Sequence, residues 1–188
     1  SKLFDRTAFW IHSIACGLMS RILMGFAGKS TMLDAEEVFC AGLLHDLGKV
    51  VMEQYLHQDF HTALQVSKDK KLVMHVAEQE SLGYDHTDVA RWLMTHWELP
   101  PELQLPPIYH HAPLEAGEYT DTAGLCHIAD ALCHLLNYGT SPATPPPQID
   151  PSVTARLRLS PESLERAKNL FQEEFTKMEF FVTAVQNR

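Results

Sequence analysis

The chain has 188 residues, a formal net charge of −9 and a sequence pI of about 5.6. That balance argues against nonspecific binding to nucleic acid or to an anionic membrane, and leaves room only for a local basic pocket. Hydrophobic residues make up 45%, enough for a packed core in a single domain over residues 1–188 and too many for wholesale disorder.

The predicted elements are helical throughout. From Asp5 to about Ala27, Phe9, Ile11, Ile14, Ala15, Leu18, Met19, Ile22, Leu23 and Phe26 recur at three- and four-residue spacing, and Gly28 fits a stop. No apolar run approaches the length of a transmembrane helix, and the start lacks the form of a signal peptide. A second helix begins near Asp34, with Glu36 and Glu37 suited to the positive end of its dipole, and runs to His45. Gly48 predicts a break or a tight turn. Lys49 to Leu56 resumes as a short helix, and Gln58 to Ser67 adds an amphipathic turn or two. His57, His61 and His75 are read as surface residues. Leu72 to Leu82 predicts a helix ended by Gly83.

Asp85 suits the N-cap of the next helix, with His86 in its first turn and His96 at its far end. Pro101 opens a short helix or extended turn that leads past Pro106-Pro107 to His110-His111. Thr120 to Leu136 carries an apolar stripe interrupted at four-residue spacing by Asp130 and His134. His127 and His134 are read as solvent-facing. A Pro-rich loop covers residues 139–159, with Pro145-Pro146-Pro147 in it. Ser160 as N-cap and Pro161 at the first helical position then begin a last helix to about Gln186. The expected fold class is an all-α bundle of about seven to nine helices.

Chemistry concentrates in Ala41 to Lys49, where an apolar run delivers His45 and Asp46 side by side. Adjacent helical residues point about 100° apart. The pair therefore cannot share a narrow face, yet it can flank a common point where a helix end abuts a cavity. Such a pair serves as metal ligands or as a hydrogen-bonded cap. His12 on an apolar helix, and His110-His111 beside a Pro turn, have similarly plain alternatives as satisfied core or surface residues. Asp130 is more telling, because a carboxylate beside an apolar stripe costs free energy unless paired or ligated. The four cysteines, Cys16, Cys40, Cys126 and Cys133, lie in apolar segments without CxxC spacing. They read as buried thiols of a reducing, cytoplasmic setting rather than a disulfide framework or a thiolate zinc site. The eleven histidines are the compositional excess.

In chain order the special residues are His12, His45-Asp46, His86, His110-His111 and Asp130. This order resembles the HD superfamily, all-helical metal-dependent phosphohydrolases. His86 and His110-His111 resemble the longer pattern of its two-metal members, which include the HD-GYP phosphodiesterases of cyclic di-GMP. A nearer likeness is to the HDOD domains, HD-related output domains of bacterial signalling. It is carried by Phe9-Trp10-Ile11-His12-Ser13, by Ala41 to Lys49, by Glu80 to His86, by Trp97-Glu98-Leu99-Pro100 and by His110-His111, and spans about residues 5–135. Two departures stand out. Ala112-Pro113-Leu114 follows His110-His111 where HD-GYP enzymes carry an acidic residue and a Gly-Tyr-Pro motif, so cyclic di-GMP hydrolysis has little support. HDOD modules also usually have a helical half before the Phe-Trp segment; without it, exposed apolar surface on the first helix could drive a homodimer.

The resemblance implies one ion on His12, His45, Asp46 and Asp130, and a second that shares Asp46 and takes His86, His110 and His111. A donor set of imidazoles and carboxylates suits Fe, Mn, Ni, Zn or Co better than Ca. Ions about 3.5–4 Å apart can clamp a phosphoryl group, with Lys49 and Asp46 as the candidate catalytic residues. The implied function is a bacterial signalling module that binds one or two divalent metals and acts as a regulatory or scaffold domain on a signalling protein. The alternative is a metal-dependent phosphohydrolase or phosphodiesterase acting on a phosphorylated small molecule, a nucleotide or cyclic dinucleotide.

Overall fold

Aspartates set four of the helix starts. Asp5 accepts from the backbone N–H groups of Thr7 and Ala8, Asp34 from Glu36 and Glu37, Asp85 from Thr87 and Asp88, and Asp150 from Ser152. Each satisfies donors that the first helical turn leaves unpaired. The computed structural model describes residues 4–28, 33–139 and 145–186, and of residues 179–186 the backbone alone. Among the described residues every regular element is helical, which agrees with the all-α class. The order is α1 (Arg6–Phe26), α2 (Ala35–Leu44), α3 (Leu47–Tyr55), α4 (His57–Lys70), α5 (Met74–Leu82), α6 (His86–His96), α7 (Pro101–Ile108), α8 (Thr120–Leu135), α9 (Pro151–Leu157) and α10 (Pro161–Gln186). Two short 3-10 turns, Pro113–Glu115 and Gly117–Tyr119, join α7 to α8.

The helices form two layers with different interiors. The large apolar core belongs to α1, α2, α8, α9 and α10, through Ala15, Met19, Leu23, Val38, Leu125, Ile128, Val153 and Phe171 among others. The second layer, α3 to α7, buries fewer apolar side chains, Met52, Phe60, Ala63, Ala77, Ala90, Met94 and Ile108. The α2–α3 junction links the two.

Several expectations need correction. The chain breaks at His45 and Asp46, not at Gly48. Asp46 has φ −102° and ψ 10°, whereas Gly48 lies inside α3. The glycine serves close approach: a Cβ there would stand 1.8 Å from the His86 carbonyl oxygen, so only glycine lets α3 press on the start of α6. The stretch 139–159 is not all loop. Asp150 caps α9, with Pro151 at its first position, and residues 140–144 of that stretch lie outside the described residues. The segment after Pro101, by contrast, takes one of its two expected forms, a short helix, and runs on through Pro106 and Pro107. Finally, α1 does reach the length and hydropathy of a membrane span, with a mean hydropathy of 1.3, but 56% of that window is buried in the fold. Its apolar face packs in the core.

Candidate metal centre

His12 comes from α1, and His45 and Asp46 from the α2–α3 junction. His86 begins α6, His110 and His111 follow α7, and Asp130 lies within α8. Five segments distant in sequence thus meet at the seam between the layers. His12, His45, Asp46, His86, His110 and Asp130 are all buried, and His111 is partly so.

Backbone carbonyls orient two of the imidazoles. His45 Nδ1 donates to the Gly42 carbonyl at 2.7 Å, and His110 Nδ1 to the Pro107 carbonyl at 2.6 Å. A carbonyl can only accept, so both rings carry a proton on Nδ1 and turn Nε2 inward. His12 Nδ1 faces the Tyr138 carbonyl at 3.2 Å, and His86 Nδ1 faces Glu78 Oε2 at 2.5 Å. Four rings therefore turn Nε2 toward the two aspartates. His12 Nε2 lies 3.1 Å from Asp130 Oδ1, and His86 Nε2 lies 3.2 Å from Asp46 Oδ1. His45 Nε2 is 3.5 Å from Asp46 Oδ2 and 3.7 Å from Asp130 Oδ1, and His110 Nε2 is 4.0 Å from Asp46 Oδ1. His111 Nε2 stands 3.1 Å from His86 Nε2.

This geometry fits a cation. His45 Nε2, His110 Nε2 and Asp46 Oδ1 are buried and make no well-aligned hydrogen bond, although His86 Nε2 approaches Asp46 Oδ1 as an ion-pair contact at 3.2 Å. Unpaired lone pairs facing one another in a dry site are costly. Two N or O ligands of one ion, with bonds of about 2.0–2.2 Å, stand about 2.9–3.5 Å apart, and four of the distances just given fall in that range. The donor atoms group accordingly. Those of His12, His45 and Asp130, with Cys16, lie within 4.8 Å of one another, as do those of His86, His110 and His111 and those of His45, Asp46 and His110. Asp46 stands between the two sides.

Without a metal, protons and Lys49 hold the charge. Lys49 Nζ contacts Asp46 Oδ2 at 2.6 Å. Burial alone would raise Asp46, but Lys49 and the histidines hold its pKa well below the carboxylate range. Asp130 is likewise lowered, against burial, by His12 and His45. Burial would depress His86, yet Glu78 and Asp46 raise it to about 9. His110 and His111 go the other way: burial and neighbouring imidazoles hold both well below the usual value. For His86 to serve as a ligand here, its Nε2 would have to give up its proton.

Some participants escaped the sequence reading. Glu78 is fully buried and holds His86. His134, expected in solvent, is only 15% exposed, with Nε2 at 3.4 Å from Asp130 Oδ1; its i+4 spacing from Asp130 was the available signal. His75, expected at the surface, stacks on His111 with ring centroids 3.8 Å apart, and burial holds its pKa down at about 4. His127 is also buried, not solvent-facing. Its Nδ1 donates to the His110 carbonyl at 2.9 Å, and its Nε2 accepts from the Asp150 N–H at 3.0 Å, clamping the His110-His111 turn to α8 and α9. Cys16 Sγ is 3.5 Å from His12 Nε2 and 3.8 Å from Nδ1. It lies beside the ring rather than ahead of the Nε2 lone pair. Cys16, Cys126 and Cys133 are buried free thiols, and Cys40 is half-buried. Of the other predicted surface histidines, His57 is exposed and His61 is half-buried.

The fold and site define a class: an all-helical bundle with a buried histidine–aspartate centre between two helix layers. The chain belongs to the HDOD family, whose model, the HDOD domain, matches residues 1–113. Two solved structures share the fold. One is a "Putative signal transduction protein" from Marinobacter aquaeolei VT8, with TM-score 0.76 and 21% identity over 88% of this chain and 36% of that one. The other is an HDOD domain protein with unknown function from Geobacter sulfurreducens, with TM-score 0.69 and 21% identity over 96% of this chain and 62% of that one. The chain thus spans less than two thirds of either. No curated protein matches it.

Proposed function

We propose that this chain is a single-domain, metal-holding HDOD module of bacterial signal transduction. One or two divalent ions (Fe, Mn, Ni, Zn or Co) would organise the helices, and a surface would engage a signalling protein. One side of the centre takes His12, His45, Asp46 and Asp130, the other Asp46, His86, His110 and His111. The observation that carries this reading is the set of buried atoms that make no well-aligned hydrogen bond, His45 Nε2, His110 Nε2 and Asp46 Oδ1. The free thiols suit a reducing, cytoplasmic setting. Elemental analysis of untagged protein tests the site; a content below about 0.2 metal per chain, with every ligand intact, would falsify it.

A second reading has its own observation. Lys49 is 14% exposed and touches Asp46, so an ammonium stands at the edge of the centre where a phosphoryl oxygen would approach. In a phosphohydrolase or phosphodiesterase, bound metal would supply Lewis-acid polarisation of that oxygen. Lys49 would orient and neutralise it, and Asp46 would hold Lys49 in place. A screen of phosphomonoesters, nucleotides and cyclic dinucleotides with Mn(II) or Fe(II) decides between the two. Turnover abolished by Asp46→Ala in a folded protein selects the enzyme, and no turnover on any of them selects the scaffold.

A further inference from the structure

Each imidazole that meets the seam needs an acceptor behind it, and where the ring sits on its helix decides what can serve. His45 and His110 lie just beyond the C-terminal ends of α2 and α7. A helix C-terminus leaves carbonyls without intrahelical partners. The rings use these carbonyls, each three residues back, at Gly42 and Pro107. His86 has no such choice. It is the first residue of α6, and a helix N-terminus presents N–H groups instead of carbonyls. Its acceptor must come from elsewhere.

That acceptor is Glu78 on α5, which is 0% exposed. Its Oε2 accepts from His86 Nδ1 at 2.5 Å and from the His86 backbone N–H at 3.0 Å. Its Oε1 is buried and has no partner. A buried carboxylate left half-satisfied is a poor stabilising device, and an apolar residue of similar volume would serve packing better. The carboxylate does one thing packing cannot. It keeps the Nδ1 proton in place and aims Nε2 at Asp46 Oδ1, 3.2 Å away, while its charge raises the basicity of the ring.

We propose that Glu78 is a positioning residue: it aims His86 and sets metal affinity on the α5–α7 side of the centre, a role the opposite side fills with backbone. This rests on the metal-holding reading above.

The test titrates the metal-stripped 188-residue chain with Co(II), comparing wild type, His86→Ala, Glu78→Gln and Glu78→Ala. We expect His86→Ala and Glu78→Ala to weaken binding on this side by about 10–100-fold and Glu78→Gln by somewhat less. Binding on the side assigned with His12→Ala should stay within about threefold of wild type. If His86→Ala leaves Co(II) binding unchanged, the metal reading of this side fails and this proposal fails with it. If His86→Ala weakens binding while Glu78→Gln and Glu78→Ala do not, only the proposal on Glu78 is overturned. A lower melting temperature with unchanged affinity assigns Glu78 a purely structural role and also overturns it. Should the Glu78 variants not fold, ring nitrogen NMR of zinc-loaded wild type decides. Nδ1–H on His86 with Nε2 on the metal supports the proposal, and Nε2–H overturns it.

Discussion

The two sides of the centre are built on different foundations. His12 and Asp130 stand on α1 and α8, long helices that also supply the apolar core. Their surroundings are fixed by packing. Tyr138, whose carbonyl faces His12, is held edge-on by Phe171 and Phe175 of α10, with centroids 4.9 and 4.6 Å away. His86 begins a short helix, and His110 and His111 follow another, in the layer with the smaller apolar interior. There, single polar contacts do the holding: Glu78 behind His86, and His127 behind the His110 carbonyl. One side is secured by many weak contacts and the other by a few directional ones. The second side should therefore be the more easily broken by one substitution.

The largest expected effect comes from Gly48→Ala. The new Cβ would meet the His86 carbonyl, a backbone atom that cannot swing away. We expect a loss of about 3 kcal/mol, at the upper end for overpacking, read from urea denaturation of metal-free protein. Metal affinity should fall more on the His86 side than on the His12 side. An equal fall on both would mean that the two sides move as one.

Metal removal comes next. At a free ion concentration of about 100 times Kd, binding to the folded state alone adds about 2.7 kcal/mol. For a chain of this size, chelation should then lower the melting temperature by about 5–10 °C. An unchanged melting temperature would count against a structural metal.

His127→Phe removes the donor to the His110 carbonyl and the acceptor for the Asp150 N–H. Leaving these groups unsatisfied should cost about 1–3 kcal/mol and loosen the His110-His111 turn, seen as weaker Co(II) binding with His12-side affinity retained. Unaltered affinity would show that the turn is held by its own helix alone.

The last effect is a pH slope in metal-free protein. Burial pulls His75 and His134 from 6.5 down to about 4. Both are depressed in the folded state, so the unfolded chain binds more protons between these values. Their contribution is full above pH 6.5 and is lost as pH falls through about 4. Denaturation midpoints across that window should decline towards acid. Changing His134 to Gln should flatten the slope on the core side and His75→Gln on the other.

Much of this protein was legible in its sequence. The helices of α1, α5, α6, α8 and α10 followed from apolar periodicity and from caps at Asp85 and Ser160, because these signals are local. His12, His45, Asp46, His86, His110, His111 and Asp130 were singled out by residue type and order, and the fold brings them together at the seam. The misreadings share one cause. Gly48 looked like a turn because glycine's use in close approach depends on a helix nearly forty positions away. His75, His127 and His134 looked solvent-facing because their partners, the His111 ring, the His110 carbonyl and Asp130, are set by tertiary packing or shared too small a local signal. Glu78 carried no signal at all, since an acidic residue in a polar helix reads as surface.

The sequence by itself determined the helical class and the donor atoms available to the centre, because hydrogen bonding along a helix and the chemistry of a side chain are properties of short stretches. Tertiary structure alone decided which nitrogen of each histidine faces inward, that Asp46 stands between two sides, and that one side leans on Glu78. Those outcomes depend on which carbonyls and carboxylates end up behind each ring, and only the reach of Glu78 from α5 to the start of α6, and the packing of the α3–α7 layer against the core, supplies them.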